Sequence, residues 1–301
     1  MMRKNVLIIL VLISAFYFSP ARSQDLAGLL EEGEKPAIDY TSATFKTTRI
    51  VIGQSIEIPH QGDMLFLITH HFGALNTGYE NLYGLKQATI RLGLEYGLTK
   101  WLGLGVGLNT YKNTWDGFLK AKILRQSKGA KKMPVTLDLF ANSAIYTTKW
   151  ENPDRTNYFS SRISYTFEVM VARKFGNALS LQLVGSLVHK NLVATAADKN
   201  NIFCAGGGGR VKVSERVSIN AEYYHLFAGQ VVSTKAYDSF SVGVDIETGG
   251  HVFQIFLTNS SGEIEQLFLT ETNGKWSNGE IFLGFNISRI FTVYTPKRAS
   301  N

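Results

Sequence analysis

A period of two over residues 86–112 constrains this chain more than any other feature. In its first half Ala88, Ile90, Leu92, Leu94 and Tyr96 alternate with Gln87, Thr89, Arg91, Gly93 and Glu95. After Gly-Leu-Thr-Lys, the residues Leu102, Leu104, Val106 and Leu108 alternate with Gly103, Gly105, Gly107 and Asn109. Successive side chains of an extended strand point to opposite faces, so one face is wholly apolar and the other is charged, polar or bare glycine. A hairpin of this kind needs oil on one side and a wet or ionic interior on the other, which is the pattern of a transmembrane β-hairpin.

The same rhythm recurs down the chain. It predicts about twelve strands, near 63–72, 86–97, 101–112, 115–126, 134–148, 159–175, 178–190, 201–213, 216–227, 238–247, 251–260 and 279–291. The expected fold is all-β, an antiparallel up-and-down transmembrane β-barrel with a short N-terminal helical or plug segment. Short connections alternate with long ones, as periplasmic turns alternate with outer loops in such barrels. A water-soluble barrel has the same alternation with the greasy face turned inward. The connection rhythm, the N-terminus and the aromatic residues decide against it. Tyr96, Trp101, Tyr111, Trp115, Trp150, Tyr237 and Trp276 fall at or beyond strand ends, where amphipathic rings meet lipid headgroups, and they are expected to form girdles.

The N-terminus reads as an export signal. Met1-Met2-Arg3-Lys4 precedes an apolar run over 6–18, which is shorter than the roughly 20 residues that span a bilayer as a helix. Residues 1–23 are expected to be cleaved; 24–62 form a periplasmic or plug segment, 63–294 the barrel and 295–301 a tail. Within the second segment, 25–34 suggests one short helix closed by Pro36. Thr47–Ile58 is strand-like around Ile50-Val51-Ile52 and is either an extra strand or a stretch lying against or inside the barrel. The net charge of +7 falls to +4 once Arg3, Lys4 and Arg22 are removed (7 − 3 = 4), too mild and unclustered for a nucleic-acid binder. The single cysteine, Cys204, excludes a disulfide framework and reads as a small buried residue.

The stretches 43–50, 87–99, 115–127, 163–175 and 179–193 resemble an uncharacterised outer-membrane β-barrel family of Bacteroidetes. The resemblance implies fold and location and assigns no catalytic or binding residue. One departure is the end of the chain: Phe291 and Tyr294 are followed by TPKRASN rather than closing it, so the usual aromatic assembly signal is internal or altered.

The strand phases put Arg91, Glu95, Asp116, Lys120, Lys122, Asp138, Arg162, Glu168, Glu222, Asp245 and Glu247 on the inner face, with Lys174 beside them. Mixed signs favour mutual pairing, because a buried unpaired charge is costly. These residues form either an ionic network in a filled lumen or the selectivity lining of a narrow channel. Twelve strands lie between the eight that enclose little more than side chains and the 16–18 that leave an aqueous channel, so a plug from 24–62 would decide the matter.

Three functions follow: a narrow channel or transporter for an unidentified small solute; a sealed structural barrel whose loops or N-terminal segment dock other envelope proteins; or an outer-membrane lipid hydrolase. Ser277-Asn278-Gly279 resembles part of the outer-membrane phospholipase motif, but position 275 is lysine where that motif carries histidine, leaving the serine without a base. The chain is therefore expected not to be an enzyme. His70 and His71 are neighbours on a strand, face opposite ways, and make a poor joint metal site; with His189 and His251 they read as rim residues. Gly206–Gly209 lacks the spacing of a phosphate loop and marks a bend or the seat of a plug. Lys128, Lys131 and Lys132 read as a solvated turn. No residue pattern calls for a cofactor or metal, and the partners expected are outer-membrane lipid and envelope proteins.

Overall fold

The structure, a computed structural model, describes residues 37–150 and 152–296. The expected export signal and the expected helix over 25–34 lie outside the described residues. Twelve long strands close into one antiparallel barrel: β2 (Asp63–Ala74), β3 (Ala88–Gly97), β4 (Leu102–Asn109), β5 (Thr114–Leu124), β7 (Thr136–Tyr146), β8 (Ile163–Lys174), β9 (Leu179–Lys190), β10 (Asn201–Lys212), β11 (Val217–Leu226), β12 (Ser239–Thr248), β13 (His251–Thr258) and β14 (Phe282–Thr292). Each pairs with the next, and β14 closes on β2 in a register that runs from Phe282 opposite Ala74 to Thr292 opposite Asp63. Two three-residue strands, β1 (Ile38–Tyr40) and β6 (Ser127–Gly129), pair with each other outside the barrel ladder.

The alternation of the sequence becomes an outward apolar face and an inward polar one. Leu183 and Ile255 are 66% and 54% exposed, whereas Arg91 and Glu95 on the opposite face of β3 are 2% exposed. Leu92, Leu94, Val106, Leu119, Leu139, Phe167, Val169 and Ile219 continue the exposed apolar surface around the barrel. A band of this extent is stable only against lipid, since monomeric soluble proteins rarely expose contiguous apolar patches of more than a few hundred Å². No helix among the described residues is long and apolar enough to cross a membrane; the strands do the crossing.

Both barrel-terminal strands, β2 and β14, reach the same end, here the terminal end. The β3–β4, β8–β9, β10–β11 and β12–β13 turns lie at that end and are short. The β5–β7 connection there is longer and contains β6. At the opposite end run 75–87, 147–150 with 152–162, 191–200, 227–238 and 259–281. Asp198 staples two of these loops by accepting the backbone N–H groups of Val232 (2.8 Å) and Ser233 (2.9 Å). Strand ends differ from expectation by a few residues where tight turns intervene: β4 stops at Asn109 because Tyr111–Asn113 turns as a 3₁₀ segment in which Lys112 adopts a left-handed φ of 54°. Thr47–Ile58 is not a thirteenth strand of the wall; it lies inside.

Candidate functional site

Two inserts fill the barrel. Residues 44–57 enter from the terminal end as a narrow hairpin. Its arms are joined by an isolated bridge between Arg49 and Gln54, and its turn is closed by the Ile50 N–H donating to the Gly53 carbonyl at 2.9 Å. The apolar residues Ile50, Val51 and Ile52 form the tip and are buried. Residues 259–281 descend from the opposite end and carry a short helix, α1 (Glu265–Thr270), all of whose residues are buried. The inserts meet where the Gln54 amide donates to Glu265 Oε1 at 2.8 Å.

Inward side chains of the wall hold the hairpin by its backbone. Glu222 on β11 accepts the N–H groups of Val51 (3.2 Å), Ile52 (2.8 Å) and Gly53 (3.1 Å). Gln182 on β9 accepts from Ile56 N–H at 2.9 Å and donates to the Gln54 carbonyl at 2.7 Å. Gln254 on β13 and Asn286 on β14 donate to the carbonyls of Ile50 (3.1 Å) and Val51 (2.8 Å). Lys120 on β5 donates to those of Ser55 (2.9 Å) and Glu57 (3.1 Å). Buried backbone groups must find partners, and here the wall supplies them. Arg49 adds a buried salt bridge to Glu95 at 3.1 Å.

Glycine makes the room. A Cβ on Gly103 would lie 2.5 Å from Ile58 Cγ2, one on Gly107 2.3 Å from Arg91 Nη2, and one on Gly53 2.0 Å from the Tyr224 hydroxyl. The bare inner face of β4 is thus the space taken by the hairpin's flank and by the Arg91–Asp116 pair, whose Nε–Oδ1 distance is 2.9 Å. Gly208 on β10 faces the Ile50 side chain, 3.1 Å from its position for a Cβ.

The loop insert is seated by fewer wall contacts. Gln266 donates to Asn142 on β7. Glu263 accepts from Thr89 at 2.9 Å. Glu271 bridges to Lys190 at 2.8 Å and to Lys112. The ring of Phe268 lies 5.1 Å from that of Tyr224, within an apolar cluster that also contains Ile50, Ile52, Phe256 and Leu269.

The predicted inner-face residues divide into three groups. Arg91, Glu95, Asp116, Lys120, Asp138, Glu168, Glu222 and Asp245 are buried in the lumen. Glu168 accepts from Ser186 (2.9 Å) and Asp245 from Gln254 (2.9 Å). Lys122 and Glu247 line a cavity at the terminal mouth, where Glu247 pairs with Lys46. Arg162 is a correction. It is in the 3₁₀ turn that precedes β8, donates to the Tyr146 carbonyl at 2.8 Å and covers the Trp150 ring at 3.8 Å, so it belongs to the rim at the opposite end.

The aromatic residues divide as well. Trp101 and Trp115 are exposed and Tyr96 half-buried on the outward face. Trp150, Tyr237 and Trp276 lie in loops at the end away from the termini; Trp276 donates to the Phe240 carbonyl at 3.1 Å. Tyr111 turns inward instead. Its N–H donates to Asn109 Oδ1 at 2.7 Å, and its ring packs beside Ile264 and Leu267 of the loop insert. His70 faces outward, stacked on Phe285 at 4.9 Å. His71 is buried in the lumen rather than at the rim, edge-on to Phe256 at 5.3 Å. Ser277 sits in an exposed turn with its hydroxyl on Asn278 at 3.4 Å.

Residues 45–291, well over half of the chain, match the profile of a family described as a membrane bound beta barrel domain, DUF5777. The chain belongs to that family. Comparison with curated protein sequences found no match. Among solved structures, this beta barrel domain is similar to the NanC porin, with 8% identity, 76% of this chain and 98% of that one covered, and a TM-score of 0.47. It is similar to the KdgM porin, with 8% identity, coverage of 77% and 99%, and a TM-score of 0.44. An outer membrane channel from Pseudomonas putida F1 shares 14% identity, with coverage of 78% and 97% and a TM-score of 0.45.

Residues that the alternation did not single out also shape this barrel domain's lumen: Arg49, Gln54 and Glu265 on the inserts, and Gln182, Gln254 and Asn286 on the wall. The wall amides were within reach of the strand phases, which place them inward. Nothing local marks the insert residues, because Arg49 pairs with Glu95 on β3 and Gln54 with Glu265 of the other insert, both distant in sequence.

Proposed function

We propose that this beta barrel domain is an exported protein of the outer membrane, in a cell of the Bacteroidetes type, and that it is a narrow channel or transporter for a small solute held in a closed state. The polar seat of the hairpin carries this reading. Glu222, Gln182, Gln254, Asn286 and Lys120 bond its backbone, and each of these groups would be equally well satisfied by water. A wall that accepts either the hairpin or water suits a plug that leaves. A permanent seal would be built more cheaply from apolar side chains, since buried charges must be desolvated. The ionic lining then has two uses, gripping the hairpin when closed and facing solute when open.

A second reading is a sealed barrel that docks envelope proteins. It is favoured by the apolar cluster in which Ile50 and Ile52 of one insert share contacts with Phe268 and Leu269 of the other. Planar-bilayer recording separates the two. The full chain is expected to be closed for most of the record, and a variant lacking residues 43–58 to conduct steadily. Silence in that variant, and in one also lacking 262–272, would overturn the channel in favour of the sealed barrel.

A further inference from the structure

The terminal mouth contains a cavity of about 1120 Å³, ample for a small molecule, since ligand pockets occupy roughly 300–1,000 Å³. Lys46, Lys100, Lys122 and Arg125 line it, with Glu57 and Glu247 as the acidic members. Glu247 is taken by Lys46, and Glu57 accepts the Phe45 N–H at 3.1 Å. Lys100, Lys122 and Arg125 form no salt bridge with any described residue. Asp138 is opposite Lys122 in the β5–β7 register but is not bonded to it.

Beside this cavity a second group of cations crowds together. Lys174 is near enough to Arg210, Lys212 and Lys46 to be repelled by each, with Glu57 acting against them, and of these Lys46 and Lys212 are paired with Glu247 and Glu215. Arg210 is 2% exposed; its Nη2 donates to the carbonyl of Ala43, a cavity residue, at 3.1 Å, while its Nε and Nη1 have no partner among the described residues. Glu57, Asp245 and Glu247 offset part of this charge from a distance, but the cavity cations without a salt bridge and the leftover buried donors of Arg210 keep positive charge and hydrogen-bonding capacity for a ligand to fill. Low-dielectric walls with an excess of one sign also focus the field on the opening and concentrate ions of the opposite sign there.

We infer that this mouth binds a small multivalent anion bearing carboxylate or phosphate groups. As the substrate class of the channel it rests on the reading above; as a binding site it stands alone. The direct test is titration calorimetry of the full chain in non-ionic detergent, with citrate as the anion and spermidine as its cationic counterpart. Saturable citrate binding is expected, with none for spermidine. The double variant Lys122→Gln, Arg125→Gln is expected to weaken it by about tenfold or more, whereas Lys122→Arg, Arg125→Lys should retain it, because charge-assisted bonds to the anion are kept. Absent citrate binding, equal spermidine binding, or an unchanged affinity in the Gln variant would overturn the site. Heat-modifiable migration checks that the barrel is folded; if the double variant is not, the single variants decide. Reversal potentials of the hairpin-less variant in a KCl gradient then test the channel role. Chloride preference supports an anionic solute, potassium preference overturns it, and silence with citrate binding intact would sink the channel while leaving the anion site.

Discussion

Residues 44–57 and residues 259–281 both occupy the lumen, yet they are attached in contrasting ways. The loop is closed covalently at both ends by β13 and β14. The hairpin joins the wall directly only through β2; on its other side it is held by the three-residue ladder of β1 with β6 and by Thr41 N–H on the Gln126 carbonyl at 2.8 Å. The hairpin compensates inside the barrel, with backbone bonds from side chains of five strands and the buried Arg49–Glu95 bridge. The loop's outermost anchor, Glu271, is partly exposed. Strong tether with light seating on one side, and weak tether with dense polar seating on the other, make the hairpin the part that would leave in one piece under the proposed gating. Hydrogen exchange read separately on peptides from 44–57 and from 262–272 can break or sharpen this contrast.

The largest effect is expected from Arg49→Leu. It leaves Glu95 buried at 2% exposure without its bridge, and removing one partner of a buried pair costs about 3–5 kcal/mol. Protection of the hairpin peptides should fall by about two orders of magnitude or more, at about 1.4 kcal/mol per tenfold, while the loop peptides change far less. Equal loss in both would mean that the inserts move as one body. Next is Glu222→Ala, which orphans three N–H groups at the tip. An unsatisfied buried donor costs about 1–3 kcal/mol, partly relieved here by water entering the space. Glu222→Gln keeps an acceptor and should lie between the wild type and Ala. An Ala variant as protected as the wild type would show that the tip is held by its apolar contacts alone.

These residues also mark how far the sequence could be read. A strand declares itself locally: Leu102–Asn109 alternates without a break, and its two faces meet lipid and lumen in the structure. Glu222 is inward by the same phase, but alternation cannot say that its carboxylate caps the turn at 51–53. Ile50-Val51-Ile52 reads as strand because β-branched residues favour extended backbone; its burial inside the barrel depends on partners on β9, β11, β13 and β14, all more than a hundred positions away. The glycines of β4 looked like a missing inner face, and only the structure shows what fills the gap: the hairpin's flank at Gly103, the Phe118 ring at Gly105 and the Arg91–Asp116 pair at Gly107. Arg162 was misplaced for the converse reason. A 3₁₀ turn over Phe159–Arg162 precedes β8, so the strand's phase does not extend back to it.

The smallest effect separates seating from tethering. Lys112→Gln removes one of two cations from Glu271. The pair is partly exposed, and such bridges contribute about 0–1 kcal/mol. Exchange of the 262–272 peptides should rise by less than about tenfold, with no change in 44–57, because covalent closure at both ends rather than this bridge keeps the loop in place. The pH response has a definite sign. Burial disfavours the charge on Glu271, but Lys190 and Lys112 outweigh it and hold the carboxyl below the ordinary carboxylate range. Its contribution is therefore complete above the unfolded-state value of about 4.3 and is lost as pH falls through the lower folded value. Lys112→Gln should differ from wild type at neutral pH, and the difference should shrink only below about pH 4. A difference that vanished between pH 7 and pH 5 would implicate a histidine instead, and a loss of protection in 262–272 as large as that caused by Arg49→Leu in the hairpin would make Glu271 the true anchor of the loop and reverse the assignment of the mobile insert.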